Sequence, residues 1–295
     1  MITRRDQLGL STPAATAKRP GSSVRRAAVE VLAGARRTHY DTVVTEEPLE
    51  IRLSWPGHSA TRVAVTMRTP GADFELAVGY LLAEGVTTVG RPPRTVAYCV
   101  DRALSQEQRY NVVTVELDGP PERHPSHRAT TMSSACGVCG TASLDEVFTP
   151  EATPLEIGPL VSEDVIHAAP QTLRDRQPLF TRTGAIHAAG MFDFDGALLV
   201  AREDIGRHNT VDKVLGARQL GSVQFGEASV LCVSGRIGFD IVTKAVAGRI
   251  GVVVAVGGPS SLAVDLAERA GVTLCGFVRN ERFVVYSHPE RIRGV

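Results

Sequence analysis

Leu49, Ile51, Leu53 and Trp55 alternate with Glu50, Arg52 and Ser54. That period of two is the signature of a half-buried strand. Pro56-Gly57 then supplies a turn, and Val63, Val65 and Met67 alternate in a second strand, so the pair predicts a hairpin. The run from Ala72 to Glu84 reads as a helix that stops at Gly85. Val96–Val100 and Tyr110–Leu117 predict two more strands, the second rich in β-branched residues. The first ordered third of the chain is therefore expected to be a small α+β unit, one sheet with one helix against it.

A different rhythm governs the second half. Ser162 can cap a helix reaching to about Arg176, with Glu163 and Asp164 in its first turn. Ile186–Phe194 and Ala197–Ala201 flank Asp195-Gly196, a strong hairpin signal. Strands over Ser229–Ser234, Val252–Val256, Val272–Phe277 and Phe283–Tyr286 alternate with helices over Asn209–Leu220, Phe239–Ile250 and Ser261–Ala270. This order predicts an α/β domain with helices on both faces of a mixed sheet. Between the halves, Gly119–Thr131 is a connection rich in Pro and His, Thr141–Phe148 predicts a short helix, and Thr149–Gly158 reads as a linker. The expected organisation is a disordered basic arm over 1–38, a small α+β domain over 39–148 and an α/β domain over 149–295.

Composition narrows the class. Of 295 residues, 32 are Lys or Arg and 32 are Asp or Glu, so the neutral balance argues against a general nucleic-acid binder. The N-terminus lacks the apolar core of a secretory signal, and no apolar run is long enough to span a bilayer. A cytosolic protein is expected, with no membrane and no nucleic acid among its partners, and there free thiols persist.

Two thiols dominate the chemistry. Cys136 and Cys139 sit among small residues in Ser133-Ser134-Ala135-Cys136-Gly137-Val138-Cys139-Gly140. Gly137 and Gly140 let the backbone turn and keep bulk away from the sulfurs. The upstream flank Arg123-His124-Pro125-Ser126-His127-Arg128 is basic, and positive potential favours the nucleophilic thiolate. The predicted helix after the loop adds its N-terminal charge near Cys139. A reactive, mobile sulfur site competes with half of a structural zinc site or a pair of inert thiols; a zinc site ordinarily needs four ligands, and no second Cys-x-x-Cys exists. Cys99, Cys232 and Cys275 lie singly in apolar runs, as core cysteines do.

Polar residues cluster in three segments that follow predicted strands of the second half, where ligands of open α/β sheets bind. They are Arg202-Glu203-Asp204-Ile205-Gly206-Arg207-His208-Asn209, Ser234-Gly235-Arg236-Ile237-Gly238 and Gly257-Gly258-Pro259-Ser260-Ser261. The last opens a helix and suits an anion, since free amides at a helix start donate to phosphate oxygens. Arg202, Arg207 and Arg236 can clamp further phosphates, or can simply pair with Glu203, Asp204 and Asp240. No Walker loop and no complete dinucleotide fingerprint is present.

These motifs together, in this order, resemble the FdhD family of formate dehydrogenase accessory sulfurtransferases, from about Asp41 to the C-terminus. The resemblance implies a cytoplasmic, dimeric sulfur carrier whose larger C-terminal α/β/α domain resembles the cytidine deaminase fold. It implies that sulfur arrives from a cysteine desulfurase and passes to the molybdenum cofactor, Mo-bis(molybdopterin guanine dinucleotide), for formate dehydrogenase. Cys136 would carry the persulfide with Cys139 as helper or alternate, with no catalytic metal held by the protein. Phe277-Val278-Arg279-Asn280-Glu281-Arg282 would contact the cofactor, alongside Gly257, Gly258, Ser260, Ser261, Arg202, Arg207 and Arg236. The alternative within this reading is a non-catalytic chaperone for the cofactor.

Two other classes fail on residues. A zinc deaminase needs His-x-Glu followed by Pro-Cys-x-x-Cys. Here His187-Ala188-Ala189 has Ala in place of Glu, and the cysteines precede it. A thioredoxin-like oxidoreductase would place its Cys pair at the start of a long helix after a first strand. This pair follows a polar connection instead. His187 itself is left as a packed histidine or a ligand contact.

Overall fold

The computed structural model describes residues 19–100, 104–105, 108–124, 131–132, 154–156, 158–221 and 230–294. Strands β3 (Glu47–Trp55) and β4 (His58–Arg68) form the expected hairpin about Gly57, whose φ is +84°. They join β5 (Thr95–Tyr98), β6 (Val112–Glu116) and β7 (Thr131–Met132) in a five-stranded sheet of order β5-β6-β3-β4-β7. Leu49, Ile51 and Leu53, the residues whose alternation predicted β3, are fully buried. They pack with Val113 and Val115 against Leu76, Ala77 and Leu81 of helix α1 (Asp73–Ala83). Gly85 ends that helix's terminal turn at φ +70°.

Behind this unit stands a six-stranded mixed sheet of order β10-β9-β11-β12-β13-β14. Its strands are β9 (His187–Phe192), β10 (Leu198–Asp204), β11 (Val230–Val233), β12 (Val252–Ala255), β13 (Thr273–Arg279) and β14 (Arg282–Ser287). Strands β11, β12 and β13 are parallel; β9, β10 and β14 run antiparallel to their neighbours. Alternate residues feed opposite faces. Val230, Cys232, Val252, Val254 and Cys275 meet helix α2 (Glu163–Arg174) on one side. Leu231, Val233, Val253, Ala255 and Leu274 meet α4 (Arg207–Gln219), α5 (Phe239–Ala247) and α6 (Ser261–Ala270) on the other. Helices therefore cover both faces, as the sequence predicts. Ser162 caps α2 by accepting from the Val165 amide, and β8 (Val161–Ser162) pairs with β15 (Ile292–Arg293) near the C-terminus. Burial lifts the thiols of Cys232 and Cys275, the latter to about 12, so neither is a nucleophile at neutral pH.

Several expectations need correction. Residues 23–38 of the expected disordered arm are ordered: β1 (Ser23–Leu32) and β2 (Ala35–Val44) pair over their full length. Ala33 and Gly34 turn the chain with φ of +48° and +86°. A helix unforeseen in the sequence, α3 (Pro178–Thr183), follows α2. Leu155 and Glu156, expected in a linker, are held to the body by the Arg291 guanidinium, which donates to their carbonyls at 2.8 and 2.9 Å. The predicted helix over Thr141–Phe148 lies outside the described residues.

Helices α1 and α4 lock the two sheets together. A Cβ added at Gly79 would meet the Asp212 carbonyl oxygen at 1.8 Å, and one at Gly216 would meet the Glu75 carbonyl oxygen at 1.8 Å. Each glycine lets the other helix's backbone approach. The cores interlock accordingly: Leu82 of α1 joins the core of the six-stranded sheet, and Leu220, just past α4, joins that of the five-stranded sheet. Gly79→Ala therefore tests a sign. Helix propensity alone favours alanine by about 1 kcal/mol, whereas overpacking typically costs about 1–3 kcal/mol and more where backbone must move. The expected outcome is net destabilisation, read as a lower denaturant midpoint; an unchanged or raised midpoint would contradict the close crossing.

Candidate functional site at the carboxyl edge of the large sheet

The parallel strands end at Val233, Ala255 and Arg279 on one edge of the sheet. Because β9 and β10 run antiparallel, the start of one and the end of the other, His187 and Asp204, lie opposite each other at the same edge. Two of the predicted polar loops meet there and are zipped together. Gly257 N donates to Gly235 O at 3.1 Å, Ile237 N to Gly258 O at 3.2 Å, and Ser260 N to Ile237 O at 3.0 Å. Phe277 N donates to Gly257 O at 3.1 Å, tying β13 to the same seam.

Gly258 has a specific reason to be glycine. An added Cβ would stand 2.4 Å from the Phe277 ring. Phe277 sits at φ +53° and is 43% exposed, so a large aromatic is held against the glycine loop yet remains open to solvent. Beyond it the chain turns at Asn280, φ +51°, which sets Arg279 opposite Arg282, both exposed. Arg236 is exposed on the neighbouring loop. The edge thus carries an aromatic face and guanidinium groups around tightly turned backbone, a combination that suits a flat heterocycle bearing phosphates.

Beside the seam is an ionisable group of four. A Cβ on Gly235 would lie 3.6 Å from His187 Nδ1. Burial lowers the His187 pKa, and the nearby charges of Arg207 and His208 lower it further, so the ring is neutral at pH 7. His208 Nε2 pairs with the Asp240 carboxylate. Burial alone would raise Asp240, but its contacts with His208, its own backbone amide and Arg207 hold it below the usual carboxylate range. Asp240 lies in the first turn of α5, where the helix charge also favours a carboxylate.

The remaining predicted residues divide into rim and framework. Arg202 lies within β10, not in a loop, and its guanidinium makes a paired contact with Glu75 of α1, with one bond of 2.7 Å. It is therefore occupied by an ion pair between the two sheets, where a phosphate clamp was expected. Glu203 accepts from the Leu179 and Phe180 amides and caps α3. Asp204 is fully buried, paired with Lys213 at 2.6 Å, and accepts from the Thr69 and Gly206 amides and from Asn209. Asn209 donates in turn to Met67 O at 2.7 Å. Ser260 caps α6 through the Ala263 amide, with Ser261 as the first helical residue. Val278 is buried in the core, so its side chain does not reach a ligand. Glu281 is exposed in the turn. Cys136 and Cys139 lie outside the described residues.

The span matched by the model of the FdhD/NarQ family is residues 44–293, which includes both sheets and this edge. The chain belongs to that family. A Nocardia farcinica sulfur carrier protein FdhD is 44% identical over 274 residues, covering 92% of this chain and 96% of that protein. The Streptomyces coelicolor protein of the same name is 43% identical, with coverages of 91% and 95%. A solved structure from Desulfotalea psychrophila, described as a formate dehydrogenase accessory protein, superposes with a TM-score of 0.74 at 26% identity and covers 92% of this chain and 99% of its own. Among the described residues, no helix is long and apolar enough to cross a membrane.

Arg207 and Arg236 lie at this edge, as does His187, and the His208–Asp240 pair beside them is not singled out by the sequence. Its only signal was a His and an acid, each just inside a helix start. The environment of His187 generates a pH test. A histidine lowered on folding binds fewer protons than in the unfolded chain, so stability falls as pH drops below about 6.5. In an NMR titration the His187 ring should titrate below that value. Arg207→Gln should raise the midpoint without restoring the ordinary value, because burial, the larger cause, remains. No movement on Arg207→Gln would place Arg207 away from the ring.

Proposed function

We propose that this family member is a sulfur carrier serving formate dehydrogenase. In this reading a thiolate of the Cys136/Cys139 pair attacks the outer sulfur of a cysteine desulfurase persulfide. A new S–S bond forms, the donor's S–S bond breaks, and the donor cysteine leaves as thiolate. The second thiolate of the pair then attacks the inner sulfur and closes a Cys136–Cys139 disulfide, so the outer sulfur leaves at the sulfide level to its acceptor, the molybdenum cofactor with its two guanine dinucleotides, bound as substrate; a thiol reductant reopens the disulfide. The fold analogy with cytidine deaminases and the cytoplasmic homodimer belong to the same proposal.

The observation that supports the acceptor is the carboxyl edge. Phe277 offers an exposed ring for a guanine, and Arg236, Arg279 and Arg282 offer planar donors for pyrophosphate. Arg207 stands at the start of α4 beside His187 and Asp240. The seam formed by Gly257 and Gly258 brings these groups onto one rim, with the Gly257 amide and both glycine carbonyls tied.

Two measurements test this. After incubation with a cysteine desulfurase and cysteine, intact-protein mass spectrometry should show one added sulfur, lost in Cys136→Ala. That variant should retain nucleotide binding and fail to activate formate dehydrogenase. Absence of added sulfur on the wild type would favour the non-catalytic chaperone. Separately, Arg279→Ala should weaken GDP binding about tenfold, ~1.4 kcal/mol, in isothermal titration; unchanged affinity would remove Arg279 from the site.

A further inference from the structure

Among the described residues, eight large hydrophobic side chains are exposed, and five of them, Val29, Val31, Leu32, Tyr40 and Val43, belong to the β1–β2 ribbon. A ribbon of two strands is marginal by itself in water and ordinarily needs a surface to cover one face. Opposed residues of an antiparallel pair share a face, and alternate residues change face. The register puts Arg25, Ala27, Val29 and Val31 on the same face as Arg36 and Tyr40. The Arg25 guanidinium stacked 5.3 Å from the Tyr40 ring agrees with this assignment. The opposite face carries Ala28 and His39, both half-buried, exposed Leu32 and Val43 near its two ends, and self-neutralising cross-strand pairs, Arg26 with Asp41 and Glu30 with Arg37. The outward face is thus apolar in the middle, basic at both ends and without a carboxylate.

A matching surface exists on the same chain. Leu160 is 41% exposed, and Glu163 and Asp164, both exposed, follow it in the first turn of α2. The β9–β10 turn sits against that helix start, since a Cβ on Gly196 would lie 3.0 Å from Val165. The turn adds an exposed Asp195. This patch combines an exposed apolar residue with three exposed acids.

We propose that the β1–β2 ribbon is a clasp that docks, through its outward face, on the Leu160–Glu163–Asp164–Asp195 patch of a second copy of this chain. A two-fold axis makes the contact twice, ribbon to patch and patch to ribbon. Charge selects this occupant. Two ribbons face to face would stack four arginines, and the segment before residue 19 carries Arg4, Arg5 and Lys18 against one acid, Asp6. The inference deepens the homodimer of the proposed function by naming its contact.

The test is a charge exchange on the full chain, read by size-exclusion chromatography with light scattering. Wild type should have the mass of two chains of 31.5 kDa. Arg25→Glu with Arg36→Glu should have the mass of one, and so should Glu163→Lys with Asp164→Lys. An equimolar mixture of the two variants should recover the two-chain mass, because an acidic ribbon then meets a basic patch and a basic ribbon an acidic one. Recovery also shows that both variants are folded. Val31→Lys, which alters only the outward face, should be one chain with an unchanged circular dichroism spectrum. A wild type of one-chain mass, variants that keep the two-chain mass, or a mixture that stays at one would each overturn the proposal. Sulfur loading measured on the same samples separates failure of this contact from failure of the sulfur-carrier reading.

Discussion

The crossing of α1 over α4 is the constraint on which the rest of the molecule depends. Gly79 and Gly216 bring helix backbones together at distances that no side chain at either position would permit. Polar contacts then fill what the approach encloses. Glu75 of α1 receives Arg202 of β10, and the Thr69 amide, just before α1, donates to Asp204. Lys213 of α4 donates back to the Thr69 carbonyl at 2.9 Å. Buried groups of this kind are stable only when every partner is present. Separation of the helices would strand charges as well as open a void, so the small sheet and the large one are held in one arrangement.

That arrangement gives the motif Arg202–Asn209 a role different from its appearance. A stretch dense in Arg, Glu, Asp and Asn looks like ligand chemistry, yet most of it is structural wiring beneath the edge. Arg202, Glu203, Asp204 and Asn209 satisfy backbone amides, carbonyls and one another. What they position is the next layer: Arg207 and His208 at the start of α4, facing His187 and Asp240. The rim residues Arg236, Phe277, Arg279 and Arg282 remain exposed because no part of this wiring uses them. A framework fully hydrogen-bonded below and a rim open above is the arrangement expected of a site that receives a large, polyanionic molecule.

The ribbon extends the same logic outward. Its inward face is neutralised by its own cross-strand pairs, and its outward face is left apolar and basic. An exposed strand pair with free edges is a hazard unless a partner covers it. Most of the ribbon precedes the span matched by the family model, residues 44–293.

Local periodicity determined most of the regular elements. The alternation at Leu49–Trp55, the Ser162 cap and the helix over Ser261–Ala270 were legible because each depends on neighbours in sequence. The seam of Gly257 and Gly258 was legible as tight backbone, and its family was legible from four ordered motifs. The ribbon was missed because its strands carry arginines on both faces and neither face is buried like a core; Ala33-Gly34 between β-branched runs was the available signal. Which charges are framework and which are rim could not be read locally. Arg202 and Arg207 stand five residues apart in one motif, yet Glu75, 127 positions away, claims the first and leaves the second beside His187. Only tertiary packing decides that, because an ion pair depends on distance in space, and the distance here is set by two glycines on different helices.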